Sequence, residues 1–376
     1  MIAKLKKIFI FILEFIRNNV CYYKNVSEQD ALNLLQFYCP SLVNSTCMCS
    51  NEIVHVYDLQ IIVPAYKVEK YIKECIDSIL NQKSRYSVLL VVINDGSPDK
   101  TRDILRQYKN CKHVRIVDQE NRGLSGARNT GLKFIEARYV TFIDSDDMLM
   151  SGAIDSWMEA AYANDADIVE GGYVTFNDTT HVIRSYSHES LITNKWEGLL
   201  FGYSWGKVYR SELFKSICFP EKYWFEDTIN AMIVYPLSKK NVLLDKIVYR
   251  YRLNSQGITA TSVANAKILD TIYITKQILQ DKENMNIPVT QEDYEFFLKQ
   301  VIVNYSRIST LRNSLINQAV FCLTCELIQY YFKGFLTNRS SVRKLELSLY
   351  NRSFRGYMNF FYLKKVMSVR RIFIKL

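Results

Sequence analysis

Short apolar runs alternate with helix-like segments between residues 59 and 143, and this alternation restricts the fold more than any other feature of the sequence. The runs are rich in β-branched and aromatic residues, as expected for strands that are buried on both faces. Strands that alternate with helices predict right-handed crossovers and a parallel sheet. The predicted strands are Leu59–Val63, Tyr86–Ile93, Val114–Val117 and Tyr139–Ile143, and the predicted helices between them are Val68–Leu80, Lys100–Tyr108 and Asn121–Glu136.

Helix-capping residues and further periodic segments extend this prediction. Ser97 followed by Pro98 predicts the start of the second helix, with Ser97 as its N-cap. Ser27 is expected to cap a short helix at residues 26–35 in the same way. The other predicted elements are a helix at 152–164, a strand at 168–176, and helices at 268–279, 293–311 and 315–332.

Polar or turn-forming residues follow three of the predicted strands. Asp144, Asp146 and Asp147 come directly after the last strand, Asp95 follows the second, and Pro64 follows the first. Because the carboxyl ends of parallel strands meet at one edge of a sheet, where ligands bind, we expect these residues to share a pocket. The three neighbouring carboxylates favour Mg²⁺ or Mn²⁺ shared with substrate phosphates, and a solvated acidic turn is the alternative.

The sequence also disfavours two common classes of nucleotide-binding enzyme. No Gly-x-Gly-x-x-Gly motif follows the first strand, and there is no Walker lysine, which argues against dinucleotide oxidoreductases and P-loop enzymes. In the predicted pocket, a strand-end aspartate accepts hydrogen bonds from a base or a ribose. Helix N-termini, with Arg122 or Arg128, add positive potential for phosphates.

Four motifs occur in order along this edge: Ile61–Tyr66, Val92–Ser97, Asn121–Gly131 and Phe142–Asp147. The series resembles the inverting family 2 glycosyltransferases, and the match extends over residues 58–260. The resemblance implies the α/β GT-A fold, a mostly parallel, Rossmann-like sheet flanked by helices, here followed by an α-helical C-terminal region. It also implies a nucleotide-sugar donor, in particular a UDP-sugar, and a divalent metal, Mn²⁺ or Mg²⁺.

The resemblance assigns roles in donor binding to several residues. It implies that Pro64 and Tyr66 line the base, that Asp95 contacts the uracil or the ribose, and that Arg128 supports the phosphate side. Lys67 replaces the asparagine that usually follows the tyrosine in the family. This departure lies at the rim of the predicted pocket, where we expect it to have little consequence.

The acidic motif and a later basic segment complete the predicted donor site. By resemblance, Asp144 contacts the ribose or the metal and Asp146 binds the metal, while Asp147 is an alternative ligand because the motif is variably registered. Arg250 and Arg252 alternate with tyrosines along a predicted strand and therefore share one face. In the family, basic residues of this segment reach the diphosphate, and Arg252 is assigned that role here.

Glu226 and Asp227 occupy the position at which the family keeps its catalytic base, and Asp227 is the residue assigned to that role. Both residues also precede a predicted helix at Thr228–Leu237, so an N-cap is the alternative function, and the two functions are compatible. Trp205 is expected either in the core or in the wall of an acceptor site. Loss of Asp227 is therefore expected to affect catalysis more than donor binding.

The formal net charge of +10 is concentrated near the end of the chain. Residues 339–376 contain ten Lys or Arg and one Glu, so the rest of the protein is close to neutral and does not resemble a nucleic-acid binder. Aromatic residues lie among these cations, which is typical of a segment at an anionic membrane surface. The alternative is a packed helix with a solvated basic face.

Cysteine content and the N-terminal segment indicate the cellular compartment. Nine cysteines with scattered spacing predict free thiols in a reducing cytoplasm. The apolar segment Lys4–Arg17 is similar to a signal peptide, but Glu14 interrupts it and no small-residue cleavage site follows. We therefore expect an interfacial or packed helix there, and a cytoplasmic protein that is peripheral at the inner face of the cell membrane.

Together these features predict an inverting glycosyltransferase for a glycan or lipid-linked glycan acceptor in bacterial surface-polysaccharide synthesis. The expected organisation is a helical extension at 1–56, a GT-A domain at 57–262 and a helical, basic region at 263–376. Nucleotidyl transfer is disfavoured because no basic, glycine-rich loop follows the first strand. The non-catalytic alternative is a degenerate sugar-binding or scaffold protein of the same fold.

Overall fold

The computed structural model describes residues 26–40, 45–177, 181–254, 257 and 262–374, the last eight as backbone only. Contacts divide the chain into two units. The sheet unit comprises Leu42–Thr261 and Ile274–Pro288, and the helical unit comprises Met1–Ser41, Ser262–Tyr273 and Val289–Leu376. The predicted N-terminal helix at Lys4–Arg17 lies outside the described residues.

Ten strands in the described part of the sheet unit form one mixed sheet. They are β1 (Glu52–Ala65), β2 (Val88–Asp95), β3 (Val114–Gln119), β4 (Phe134–Phe142), β5 (Met148–Leu149), β6 (Ile168–Phe176), β7 (Val182–Tyr186), β8 (Leu191–Thr193), β9 (Lys207–Arg210) and β10 (Asn241–Arg252). The order is β3-β2-β1-β4-β9-β6-β10-β5, with β7 beside β6 and β8 beside β10.

The first four strands form the predicted parallel sheet. Ile61 in β1 lies opposite Leu90 of β2 on one side and Thr141 of β4 on the other. Within the described residues, the first helices are α1 (Glu28–Tyr38), α2 (Ile72–Leu80), α3 (Thr101–Arg106), α4 (Gly123–Leu132), α5 (Ala153–Asn164) and the short α6 (Tyr235–Leu237). Because β1, β2 and β4 run in the same direction, their carboxyl ends lie at the same edge of the sheet.

Two local predictions differ from the structure. The third helix ends at Leu132 rather than Glu136, because Phe134 already pairs with Glu52 at the start of β1. Ser97 is not a helix N-cap: α3 begins at Thr101, whose backbone N–H donates to Asp99 Oδ1 at 3.1 Å. The Ser97 hydroxyl instead donates to the carbonyl of Ala65 and accepts from the backbone N–H of Lys67, so it ties two strand-end loops together.

Helix α1 is the first described element of the helical unit, and its predicted N-cap is confirmed because the Ser27 hydroxyl accepts from the backbone N–H of Asp30 at 3.1 Å. Aromatic residues form much of its core, with Tyr305 stacked on Phe361 and Phe321 against Tyr357. None of the helices within the described residues combines the length and apolar content that crossing a membrane requires. The other described α-helices of the helical unit are α8 (Gln291–Ile308), α9 (Ser314–Tyr331), α10 (Arg343–Tyr350) and α11 (Phe354–Ile374). Helix α7 (Asp270–Asn284) is divided between the two units.

Candidate active site

The acidic turn after β4 is built against β10. The backbone N–H of Asp144 donates to the Tyr249 hydroxyl oxygen at 3.1 Å, and that hydroxyl donates to Asp147 Oδ2 at 2.8 Å. Asp147 Oδ1 accepts from the backbone N–H of Arg252 at 2.7 Å. Burial, and then repulsion from Asp146 and Asp144, raises the pKa of Asp147. Both oxygens of Asp147 are thus used to attach the turn to β10, which does not favour it as the alternative metal ligand.

Asp144 and Asp146, by contrast, each have one carboxylate oxygen that accepts no hydrogen bond from the described residues. Asp144 Oδ1 accepts from Arg128 at 3.0 Å, and Asp146 Oδ2 accepts from Asn254 at 3.0 Å. Burial raises the pKa of Asp144 to about 6, and Asp146 adds to the increase, although Arg128 opposes it. Both side chains are half-buried. No group of three or more His, Cys, Asp or Glu within the described ranges has a metal-binding arrangement.

Arg128 lies in α4 and joins the acidic turn to a distant part of the chain. Its side chain is 1% exposed and contacts three carboxylates: Asp144 at 3.0 Å, Glu226 at 2.7 Å and Asp227 at 3.2 Å. Burial alone would lower the pKa of Arg128, but the three carboxylates raise it above its usual value. We call these four residues the Arg128 cluster. The predicted metal-side and base residues therefore meet on one guanidinium group.

Asp227 is held by one oxygen only. Asp227 Oδ1 accepts from both Arg128 and the Ser204 hydroxyl, whereas Oδ2 accepts from no donor among the described residues. The side chain is 30% exposed, in contrast to 7% for Glu226. Burial, followed by repulsion from Asp227, raises the pKa of Glu226 to about 7. The preceding residue, Phe225, has a φ of +66°, which is unusual for a bulky residue and sets the direction of this segment.

Asp95 anchors the start of α4. Its Oδ1 accepts from the backbone N–H of Arg122 and its Oδ2 from that of Gly123, both at 2.8 Å, and it is 2% exposed. Gly96 has a φ of +67°, and a Cβ there would lie 2.9 Å from the backbone nitrogen of Asn121. The second strand end thus fixes the helix that carries Arg128, and the contact of Asp95 with uracil or ribose stays a prediction.

Pro64 and Tyr66 end the first strand in different environments. Pro64 is buried opposite Ile93, beyond Phe142, where the pairing of β1 with β4 stops. A residue without an N–H is tolerated there because no hydrogen bond to β4 is lost. Tyr66 is 42% exposed, and the ammonium group of Lys67 lies 5.2 Å from the centre of its ring. Their predicted contact with the base stays a prediction.

The side chain of Arg252 connects the acidic turn to α2. Its Nε donates to the carbonyl of Asp146 at 2.7 Å, and its Nη2 donates to Glu74 at 2.6 Å. Arg250 and Arg252 share one face of β10, as predicted, because both guanidinium groups lie 4.5 Å from the ring centre of Phe176. The role of Arg252 at the diphosphate remains a prediction.

A second buried charge cluster was not predicted from the sequence. We call it the Lys207 cluster, and it consists of Lys207, Glu170 and His188. Lys207 forms an ion pair with Glu170, and His188 contacts the same carboxylate at 2.7 Å. Lys207 Nζ also donates to the carbonyls of Phe201 and Tyr203, both at 2.7 Å. The one sequence signal was Glu170, a single charge within an otherwise apolar strand.

The Lys207 cluster fixes the loop that precedes β9, and this loop contacts Asp227 through Ser204. Ser204 in this loop is fully buried, and the side-chain amide of Asn230 donates to its hydroxyl at 2.9 Å. Trp205 is 5% exposed and stacks on both Tyr203 and Tyr249, with ring centres 4.5 Å apart in each pair. Trp205 therefore belongs to the core, which decides between its two predicted positions.

Comparison with known proteins identifies the same region. Residues 60–226 match the family described as glycosyl transferase family 2. Glycosyltransferase GlyA of Streptococcus pneumoniae is 33% identical over 218 residues, which are 54% of this chain and 31% of GlyA. The minor teichoic acid biosynthesis protein GgaB of Bacillus subtilis is 29% identical over 57% of this chain and 25% of its own length. The chain therefore spans about a third or less of these two relatives.

A solved structure supports the architecture independently. S. aureus TarS 1–349 in complex with UDP-GlcNAc matches with a TM-score of 0.64 and 20% identity, over 81% of this chain and 90% of that one. At this identity, the likeness concerns the fold, and it confirms the predicted α/β architecture with a helical region after the sheet. The family resemblance seen in the four motifs is confirmed as well, because residues 60–226 match glycosyl transferase family 2.

Proposed function

We propose that the protein is an inverting glycosyltransferase. It would transfer a sugar from a nucleotide-sugar donor, a UDP-sugar, to a hydroxyl of a glycan or lipid-linked glycan during synthesis of bacterial surface polysaccharide. One observation carries the proposal. Arg128 and Ser204 hold Asp227 through Oδ1, whereas Oδ2 accepts no hydrogen bond from the described residues, and the same Arg128 guanidinium contacts Asp144. The names of the relatives, a glycosyltransferase and a teichoic acid biosynthesis protein, support the substrate class.

Asp227 is the proposed general base. Its Oδ2 would accept the proton of the acceptor hydroxyl while that oxygen attacks the anomeric carbon. The bond from this carbon to the diphosphate oxygen breaks on the opposite face, so the configuration inverts, through a transition state with oxocarbenium character. Arg128 and Ser204 would hold Asp227 in position through its Oδ1.

The carboxylates of the acidic turn fit a divalent metal that is shared with the substrate. Asp144 and Asp146 each offer one oxygen without a donor among the described residues, and Mg²⁺-type ions commonly combine one or two carboxylates with substrate phosphates. These two residues would hold Mn²⁺ or Mg²⁺. Such an ion neutralises charge on the departing nucleoside diphosphate.

Donor turnover tests the proposal directly. The purified protein is incubated with Mn²⁺ and a panel of nucleotide sugars, and release of the nucleoside diphosphate is followed. We expect slow hydrolysis of one donor. NMR should show that the released sugar has the anomeric configuration opposite to that of the donor. Retention of configuration would exclude direct displacement. Donor binding without any turnover, alone or with glycan acceptors, would favour the degenerate binding protein.

We also propose that the protein acts in the cytoplasm, peripherally at the inner face of the cell membrane. The described part of α11 limits where contact with lipid occurs, since Tyr357 and Phe361 are buried in the helical unit. Leu363 is 46% exposed, and Lys364 and Lys365 beside it are exposed too. These three residues combine an apolar side chain with cations, which suits an anionic interface.

Vesicle binding tests this part of the proposal. Because each cation near an anionic leaflet contributes about 1 kcal/mol, replacing Lys364 and Lys365 with Gln should weaken binding to phosphatidylglycerol vesicles by roughly thirtyfold. The matched control replaces Lys109 and Lys112, two exposed lysines of the sheet unit, with Gln. Equal losses in both double variants would indicate non-specific attraction instead of a site on α11.

A further inference from the structure

An aromatic stack leads from the surface of the sheet unit to the acidic turn. Tyr203 stacks on Trp205 with ring centres 4.5 Å apart and planes within 4° of parallel. Trp205 stacks in turn on Tyr249, also at 4.5 Å and within 11°. The hydroxyl of Tyr249 donates to Asp147. Through Trp205, the ring of Tyr203 is therefore linked to Tyr249, a residue that is hydrogen-bonded to the acidic turn.

Tyr203 is the exposed end of this stack. It is 41% exposed, whereas Trp205 is 5% exposed and Tyr249 is fully buried. Because Trp205 covers one face of the Tyr203 ring in a nearly parallel stack and Tyr173 packs perpendicular to that ring at 6.0 Å, the exposed area is expected mainly on the other face. An aromatic face is thus presented to solvent on a buried aromatic support.

The backbone of Tyr203 is fixed by groups that the proposed mechanism does not use directly. Lys207 Nζ donates to the Tyr203 carbonyl at 2.7 Å, and Lys207 is itself paired with Glu170 in the interior. The next residue, Ser204, donates its hydroxyl hydrogen to Asp227. One short segment therefore holds both the proposed base and the exposed ring, and neither position requires ordering on binding.

We propose that Tyr203 is a stacking platform for a pyranose ring of the acceptor. This inference rests on the proposed function and extends it, because it specifies a cyclic saccharide acceptor rather than an acyclic polyol phosphate. The C–H groups on one face of a pyranose form a flat apolar patch that packs on an aromatic ring, and the hydroxyls stay at the rim in water. An acyclic polyol chain has no such face, so a rigid flat platform would give it little selective binding.

Direct binding is measured by saturation-transfer NMR with the full chain and no donor. The probes are the methyl pyranosides of glucose, galactose and N-acetylglucosamine, with ribitol and glycerol 3-phosphate as acyclic probes. We expect saturation transfer to at least one pyranoside, strongest at the C–H groups of one ring face, and none to the acyclic probes above background. Tyr203→Ala should abolish the signal, and Tyr203→Phe should retain it.

Kinetics separate this inference from the proposed function. With the donor that the wild-type protein hydrolyses, Tyr203→Ala should raise KM for the best pyranoside by roughly tenfold, the value of one aromatic contact, and leave kcat and donor hydrolysis unchanged. Phe134→Ala is the matched control, an aromatic residue of 49% exposure at the amino end of β4, away from the acidic turn. It should change neither KM nor the NMR signal.

Each result has a defined consequence. Equal KM and equal saturation transfer in wild type and Tyr203→Ala would overturn the platform, as would preferred binding of ribitol or glycerol 3-phosphate. A protein that hydrolyses no donor but shows Tyr203-dependent pyranoside signals would refute the proposed catalytic function and leave a saccharide site. Thermal unfolding of each variant excludes loss of fold as the cause, and the Phe variant tests the aromatic ring itself.

Discussion

The two buried charge clusters of the sheet unit have different charge balances. In the Lys207 cluster, one ammonium faces one carboxylate, Glu170, and the ammonium also donates to two backbone carbonyls. In the Arg128 cluster, one guanidinium faces three carboxylates, a formal excess of two negative charges. A balanced, fully bonded cluster stabilises a fold, whereas an unbalanced one has capacity left for a proton or a cation.

The oxygens show the same difference. Glu170 accepts bonds on both carboxylate oxygens, from Lys207, His188 and the backbone N–H of Phe201. Asp144 and Asp227 each have one oxygen without a donor among the described residues. Buried or half-buried carboxylates normally find partners, so these oxygens mark the place where substrate or metal is expected. If this comparison is right, changes in the Lys207 cluster should affect stability, and changes in the Arg128 cluster should affect function.

The largest effect is expected from removal of the metal. Chelation should reduce transfer to background, and Mn²⁺ or Mg²⁺ should restore it, because the ion that Asp144 and Asp146 would hold supplies the charge that neutralises the diphosphate. Asp146→Ala should remain inactive at any metal concentration while its unfolding temperature stays close to that of the wild type. Full activity in excess chelator would falsify the assignment of the acidic turn.

The next largest effect is expected at Asp227. Asp227→Asn keeps the shape and the bonds to Arg128 and Ser204 but cannot accept a proton, and loss of a general base costs about 10²–10⁴ in rate. Donor affinity should be unchanged in an equilibrium titration with the nucleotide sugar. Glu226→Gln, the neighbouring control, should have a smaller effect on rate. If the ranking of the two variants reverses, Glu226 is the base and Asp227 is a positioning residue.

A loss of stability is expected from the Lys207 cluster instead. Glu170→Gln leaves the buried ammonium of Lys207 without its counter-ion, and breaking a buried ion pair typically costs about 3–5 kcal/mol. The free energy of unfolding from denaturant titration measures this cost. The double variant Glu170→Leu with Lys207→Met should recover part of it, since no charge then remains buried. Unchanged unfolding in Glu170→Gln would remove the distinction between the clusters.

The sequence was most informative about strand ends and least informative about long-range partners. Asp144 and Asp146 could be placed because an apolar strand stops abruptly at them, a pattern contained within a few residues. Arg128 was assigned to the phosphate side, yet it contacts Asp227, 99 positions away, and no local pattern encodes such a contact. The prediction that Ser97 caps a helix was wrong for a related reason. Its hydroxyl donates to the carbonyl of Ala65, a partner in another loop, instead of capping the N-terminus of the helix that follows.

The smallest effect concerns the pH dependence of stability, and it originates in the carboxylate excess of the Arg128 cluster. Burial and the charge of Asp227 raise the pKa of Glu226 to about 7, from an ordinary value of 4.5, even though Arg128 lowers it. Between these two pH values, the folded protein keeps a proton on Glu226 that the unfolded chain releases. Unfolding therefore becomes easier as the pH rises through this range.

Glu226→Gln isolates this contribution, because glutamine resembles the protonated acid and does not titrate. In the wild type, the free energy of unfolding should fall between pH 4.5 and pH 7 by about 1–3 kcal/mol more than in the variant. Glu170→Gln, the matched change in the balanced cluster, should lower stability at both pH values by a similar amount. If the free energy of unfolding depends on pH in the same way in Glu226→Gln and the wild type, Glu226 is ionised in the folded state. Arg128 would then stabilise the ionised forms of all three carboxylates.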